Sequence, residues 1–163
     1  MSESSEANII KRFRESIDEG TFPGDMKVVY RIAGGMPSQR LEEEFIISGN
    51  GKTEVRALDM LASKPEESAS LNLNQADTRE AFEKIKLSLD SMVPLEKTNF
   101  LPDSLVGSVT LEVGGEKITL YFPVEEEKRE EDRKFVSSPM SDTIQYFRNT
   151  SKRLLEKGKG GNL

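Results

Sequence analysis

The chain has 163 residues with a formal net charge of −6, and 35% of the residues are hydrophobic. It contains no histidine, cysteine or tryptophan, so imidazole catalysis, thiolate nucleophiles, disulfides and cysteine-based zinc sites are excluded. The length fits one domain, and the acidic balance argues against nucleic acid or an anionic membrane as a partner. Residues 1–8 are polar and acidic, unlike a secretory signal, and no apolar run could span a membrane, so we expect a cytoplasmic protein.

The first predicted element is an amphipathic helix over residues 4–19, because apolar residues recur every fourth position and Gly20 follows. Its apolar face consists of four residues, Ile9, Ile10, Phe13 and Ile17. Two interpretations are open for residues 1–25. They form either a helical arm that caps the core of this chain or a helix that docks on a partner or a second copy.

Three strands follow, and each is rich in β-branched or aromatic residues. They cover residues 26–33, 41–47 and 52–58. Glycine-containing turns separate them, and Ser48-Gly49-Asn50-Gly51 suits a tight hairpin, so the three strands predict an antiparallel meander. Residues 62–70 predict a polar connector, and residues 70–73 suggest a short additional strand.

A central helix comes next. Asp77 and Glu80 have the spacing of a capping box, which predicts that Asp77 is the N-cap. Pro94 closes this segment. The helix should lay an apolar stripe on the sheet, made of Phe82, Ile85, Leu89 and Met92.

The clearest hairpin covers residues 108–113 and 116–122, where apolar and polar residues alternate on both sides of Gly114-Gly115. A C-terminal helix begins at Ser138-Pro139 and ends at Gly158. The sequence therefore predicts an α+β fold, with an antiparallel sheet of about five strands (the meander plus the hairpin) and the central and C-terminal helices packed on it. This single domain covers residues 26–157, and residues 158–163 form a flexible tail.

No motif carries evident chemistry. Gly51-Lys52-Thr53 matches the end of a phosphate-binding P-loop, but Ile46 stands where its first glycine belongs, and strands flank the turn. Neither a G-x-S-x-G nor an S-x-x-K motif occurs. The 29 carboxylates contain no marked pair, so a carboxylate-based or divalent-metal enzyme is the weakest alternative. We therefore expect a protein that is not an enzyme and has no cofactor or metal site.

One predicted loop offers a surface for a partner, because it follows a well-formed strand and carries apolar groups that a loop need not bury. Its candidate contact residues are Gly34, Gly35, Met36, Pro37 and Arg40. Ordinary packing of the loop on its own domain is the alternative interpretation.

The order of features also carries a resemblance. A strand ends in Arg31-Ile32-Ala33-Gly34-Gly35, a Phe100-Leu101-Pro102-Asp103 connector follows the central helix, and a glycine-linked hairpin precedes the last helix. In these respects the chain resembles the emfourin group, small proteins that include inhibitors of thermolysin-like metalloproteases. The resemblance covers roughly residues 26–155, whereas the N-terminal arm and the charged residues 125–134 have no counterpart.

The resemblance implies a protein that binds a metalloprotease, and blocking an active site needs shape and rigid presentation rather than catalysis. The leading hypothesis is therefore a non-enzymatic protein-binding module. The alternative is a structural homo-oligomer whose copies meet through the N-terminal arm or the last helix.

Overall fold

Six strands and three helices make up the part of the chain that the computed structural model describes, which is residues 2–34, 40–59, 64–94, 105–123 and 138–160. In chain order the elements are α1 (Ser2–Glu19), β1 (Lys27–Gly34), β2 (Leu41–Ser48), β3 (Lys52–Asp59), β4 (Lys64–Asn72), α2 (Gln75–Ser88), β5 (Val106–Val113), β6 (Glu116–Pro123) and α3 (Ser138–Gly160). A short 3-10 turn, Leu89–Ser91, extends α2. The predicted α+β class is confirmed, with a sheet of six strands rather than about five.

The sheet joins a four-stranded meander to a hairpin in the order β4-β3-β2-β1-β5-β6, and every neighbouring pair is antiparallel. The hairpin docks against the free side of β1, so β1 lies in the middle of the sheet. Tyr30 of β1 consequently faces Phe45 on one side and Val109 on the other. Val28, Tyr30 and Ile32 are buried and alternate with half-buried residues, as expected for a sheet covered on one face.

The helices cover the face that carries these buried residues. Helix α1 packs over β5 and β6, α3 packs over β3 and β4, and α2 contacts both of the other helices. Phe13 of α1 meets Phe82 of α2 edge to face, with ring centroids 6.1 Å apart. Phe147 of α3 stacks on Tyr30 at 4.4 Å. The three helices therefore share one hydrophobic core with the sheet.

Several element boundaries differ from the sequence-based expectation. Most of the predicted connector over residues 62–70 belongs to strand β4, which starts at Lys64. Helix α2 starts at Gln75 rather than after Asp77, and its N-cap is Asn74, whose side chain accepts a hydrogen bond from the Asp77 backbone nitrogen at 2.8 Å. The prediction that Asp77 caps the helix is wrong, because an earlier Asx side chain reaches the same backbone donor.

The last helix begins at Ser138 as predicted and continues through Gly160, beyond the expected stop at Gly158. Its apolar side supplies Phe147, Leu154 and Leu155 to the core. Within the described residues, no helix combines the length and the apolar character that crossing a membrane requires.

Gly107 on β5 allows the closest packing in the hairpin. It lies directly opposite Phe122 of β6, and a Cβ atom added at Gly107 would overlap the Phe122 ring. The ring itself is fully buried and stacks on Tyr30, with centroids 5.9 Å apart. The missing side chain at Gly107 thus creates the space that an aromatic residue on the neighbouring strand fills.

Candidate functional site

The structure places only the ends of the predicted contact loop. Gly34 is the last residue of β1 and pairs with Leu41, the first residue of β2. The Arg40 guanidinium donates a hydrogen bond from Nε to Glu42 Oε1 at 3.0 Å. Gly35, Met36 and Pro37 lie outside the described residues. The proposal that this loop contacts a partner therefore stays a prediction.

The apolar face of the first helix lies inside the chain's own core. Ile9, Phe13 and Ile17 are buried, and Ile10 packs against them as a half-buried residue. These side chains cannot face a partner while the helix holds this position. Of the two interpretations of residues 1–25, the helix that caps the core is the one the structure matches, and the docking face is not exposed. Helix α3 likewise turns its apolar residues inward.

The P-loop-like turn has a purely structural geometry. The Lys52 backbone nitrogen donates to the Asn50 side chain at 3.0 Å, and the Thr53 hydroxyl donates to the Gly51 carbonyl at 2.9 Å. Both bonds tie the turn to itself, and β3 rather than a helix follows. Across the described ranges, no group of three or more aspartate or glutamate residues is arranged to hold a metal ion.

A groove runs between α3 and the ends of β2, β3 and β4. It encloses a cavity of about 140 Å³. Its lining combines apolar groups with ionised ones, and the residues used below are Glu43, Asp59, Glu67, Arg148, Lys152 and Leu155. The Arg148 guanidinium lies 3.3 Å from the Glu43 carboxylate, and both side chains are largely buried. This ion pair forms part of the groove wall.

Tyr30 lies close to this ion pair. Its side chain is 2% exposed, and among the described residues its hydroxyl has no hydrogen-bond partner. Burial raises the pKa of the Tyr30 hydroxyl well above its ordinary value, the negative charge of Glu43 raises it further, and Arg148 lowers it. Tyr30 therefore stays neutral at physiological pH.

Ion pairs cross the second face of the sheet, the uncovered face, on which no described helix packs. Arg31 lies 3.3 Å from Glu42 and 3.8 Å from Glu44, and Arg56 lies 3.1 Å from Glu66. The charges alternate from strand to strand along this ladder, which spans β1 to β4. Because neighbouring charges have opposite signs, this described ladder of ion pairs is locally close to neutral.

Strand β4 is the open edge of the sheet, since no described strand pairs with its outer side. The direction of its backbone groups follows from one bond, in which the Leu73 nitrogen donates to the Gly51 carbonyl at 2.8 Å. In an antiparallel pair, hydrogen-bonded positions alternate with positions that face away. Residues 67, 69 and 71 therefore bond β3. Within this regular stretch, the N–H and C=O groups that point outward belong to Ser68, Ser70 and Asn72.

The two halves of this edge differ in character. The first half carries Pro65, Glu66 and Glu67, and prolines and charges are the groups that protect sheet edges from unwanted pairing. The second half, residues 68–72, contains no proline or charge, and the side chains of Ser68 and Ser70 are small and exposed. This second half is an unprotected strand edge, and it is the strongest candidate for a binding site in the described part of the chain.

The sequence contained a weak signal for this edge. Ala69 and Leu71 alternate with polar residues, and both are half-buried against the core.

No protein-family model matches the sequence, and no curated protein matches it. The site is therefore defined by the geometry of this chain.

Proposed function

We propose that this chain is a non-enzymatic protein-binding module that accepts an extended segment of its partner as an additional strand beside β4. The observation that supports the proposal is the unprotected half of β4, where Ser68, Ser70 and Asn72 point outward backbone groups that no described strand pairs with. Adding a strand to an exposed sheet edge is an established mode of peptide recognition, in which main-chain hydrogen bonds supply affinity.

The scaffold suits this role. Strand β4 pairs with β3 from Lys52 opposite Asn72 to Ala57 opposite Glu67, so the pairing is regular over the whole uncharged half of the edge. The pairing shifts only beyond Ala57, toward Asp59. Helix α3 packs over the same strands and supports them from one face. A rigid edge loses little conformational freedom when a partner binds, and this favours affinity.

A metalloprotease is the most concrete partner. The resemblance to the emfourin group favours it, and so does the lack of histidine and cysteine, because an inhibitor needs no catalytic group. Such a partner would be engaged by backbone pairing and shape. The predicted contact loop begins at Gly34 and ends beside Leu41. Leu41 also lines the groove, so the ends of the loop and the groove lie at the same end of the sheet.

The experiment uses Ser70→Pro. The Ser70 N–H faces away from β3, so proline removes an outward donor without removing a bond of the existing ladder, and edge strands tolerate proline. Ser70→Thr is the matched control, because it keeps the N–H. Binding to purified thermolysin-like proteases from the same genome is measured by calorimetry, together with inhibition of their activity.

We expect the natural protein and Ser70→Thr to bind alike and Ser70→Pro to bind at least about tenfold more weakly, since proline both removes a hydrogen bond and obstructs the incoming strand. Unfolding in urea establishes that all variants are folded. Binding that Ser70→Pro leaves intact would show that β4 is not the site. The absence of binding to any such protease at micromolar concentration would remove the metalloprotease as partner.

A further inference from the structure

The unprotected half of β4 also restricts which segment of a partner can pair with it, and this inference rests on the proposed function. We propose that the partner's segment runs antiparallel to β4 and carries, from its N-terminus, the pattern apolar, polar, apolar, polar, basic. The basic residue lies opposite Glu67. The described strands all pair antiparallel, and this direction lets each outward-facing residue of β4 exchange both backbone bonds with one residue of the segment.

The apolar positions follow from the helix-side face of β4. Ala69 and Leu71 lie on this face, and both are half-buried and pack against the hydrophobic core. Side chains of an added strand that lie opposite them continue the same layer. Apolar residues at these two positions extend the core beyond the edge of the sheet and cover the exposed flanks of Ala69 and Leu71.

The polar positions follow from the other face. Ser68 and Ser70 are exposed on the uncovered side of the sheet, and Glu54 lies beside Ser70 on β3. Serine or threonine opposite them can form hydrogen bonds across the strands, as Thr110 and Thr119 do between β5 and β6 at 2.8 Å. Large apolar residues there would remain in contact with water.

The basic position follows from the groove. Glu67 points to the helix side and lines the groove together with Glu43 and Asp59. The described lining holds three carboxylates and three cations, and one of the cations, Arg56, lies against Glu42 and Glu66 on the opposite face of the sheet. A basic residue directly opposite Glu67 on an added strand forms a cross-strand pair of opposite charges. A lysine or arginine opposite Glu67 places its charge at the mouth of the groove, with its stem along apolar wall residues such as Leu155.

The test uses fluorescein-labelled peptides and the full-length protein. One peptide contains Val-Thr-Val-Thr-Arg between short glycine-serine flanks, and a second replaces the arginine with glutamate. Fluorescence anisotropy measures the binding of each to the natural protein, to Glu67→Lys and to Glu112→Lys. The last variant is the control, because Glu112 lies on β5 and its replacement changes the net charge equally, far from β4.

We expect the natural protein and Glu112→Lys to bind the arginine peptide several-fold more tightly than the glutamate peptide, up to about fivefold, the size of one cross-strand charge pair. Glu67→Lys should reverse this preference. Ser70→Pro should weaken both peptides. Urea unfolding of each variant confirms that the comparison is made between folded proteins.

The outcomes separate the inference from the proposed function. If Ser70→Pro weakens binding but the preference does not depend on residue 67, the basic position is wrong while strand addition stands. If Ser70→Pro weakens neither the peptides nor the protease, both are wrong. A dimer that light scattering detects for the natural protein, and that Ser70→Pro dissociates, would make a second copy the occupant and overturn the proposed pattern.

Discussion

The two edge strands of the sheet are completed in different ways. On β6, the Val93 backbone nitrogen donates to the Tyr121 carbonyl at 2.9 Å, and the Tyr121 nitrogen donates back to Val93 at 2.7 Å. On β4, no described segment makes such a contact on the outer side. Side-chain burial differs in the same direction, because Ile118, Leu120 and Phe122 of β6 are buried, whereas Ala69 and Leu71 of β4 are half-buried.

Strand β6 therefore serves mainly the stability of this fold, whereas β4 is the edge at which we propose that a partner binds. A strand whose side chains fill the core and whose edge is partly paired contributes to the free energy of unfolding. A strand that exposes its edge leaves backbone groups and apolar flanks that a partner can still cover. Substitutions on β6 should therefore affect stability most, and substitutions on β4 should affect binding most.

The largest difference is expected from truncating one apolar side chain on each edge. Phe122→Ala removes a fully buried ring that stacks on Tyr30 and covers Gly107, and should lower the free energy of unfolding by about 3–5 kcal/mol. Leu71→Ala removes a half-buried side chain and should cost about 1 kcal/mol. Urea unfolding followed by circular dichroism measures both. Similar losses for the two variants would contradict the assignment of stability to β6.

Gly107→Ala tests the close packing within the hairpin. The added methyl group overlaps the Phe122 ring, so we expect a loss of about 1–3 kcal/mol, the usual cost of overpacking a core. In the Phe122→Ala background the methyl group has space, and most of that loss should disappear. A double-mutant cycle by urea unfolding measures this coupling. Equal costs of Gly107→Ala in both backgrounds would show that the ring is not the obstacle.

Tyr30→Phe tests a buried residue in the middle of the sheet, on the strand that joins the meander to the hairpin. Removing a buried hydroxyl without a partner should raise stability at neutral pH by about 1 kcal/mol. Burial raises the pKa of Tyr30 above the ordinary 10.0, so the unfolded chain loses this proton first, and the stability that Tyr30 contributes falls as the pH rises above about 10. The variant should therefore lose less stability than the natural protein in alkaline solution.

Tyr146→Phe is the control for this experiment. Burial and, to a lesser extent, the charge of Glu80 raise the pKa of Tyr146 to about 12, but the Tyr146 hydroxyl has Thr150 as a hydrogen-bond partner. Removing that hydroxyl should not stabilise the protein at neutral pH. Urea unfolding at several pH values measures both variants. A destabilised Tyr30→Phe would mean that the hydroxyl is satisfied in solution.

The smallest difference in stability is expected between two proline substitutions, one on β4 and one in the segment that bonds β6. Val93→Pro removes the donor that bonds Tyr121 and should cost about 1 kcal/mol. Ser70→Pro removes a donor that faces outward and should change stability by less than about 0.5 kcal/mol. Hydrogen exchange of the Tyr121 amide and urea unfolding measure the effects. A larger loss from Ser70→Pro would mean that the outer side of β4 is already paired.

The sequence predicted the elements whose periodicity is strong. The α+β class, the hairpin around Gly114-Gly115 and the stripe of α2 are all present, because residues such as Phe82 and Ile85 must be buried for the helix to pack. Strand β4 was predicted as a connector over most of its length. Only the helix-side face of β4 carries apolar residues, and these are half-buried. The segment also contains a proline and neighbouring glutamates, so its alternation of apolar and polar residues is weak.

The candidate site could not be predicted for the same reason. An open edge exists only once the strand order is known, and that order depends on which strand the hairpin joins. The hairpin joins β1 rather than β4, through contacts such as Val28 with Leu111 that lie far apart in the sequence. Local propensity carries no information about such a pairing. The face of α1 was ambiguous as well, because an amphipathic helix packs equally well on its own domain or on another.

The central position of β1 has a consequence for how the chain folds. Strands β1 to β4 pair with their neighbours in sequence, whereas β1 and β5 pair only after the whole intervening segment has closed into a loop. The β1–β5 pairing should therefore be the slow step of folding. Until it forms, β1 offers a second unpaired edge that is richer in apolar residues than β4, so a newly made chain is most prone to aggregation before its hairpin docks.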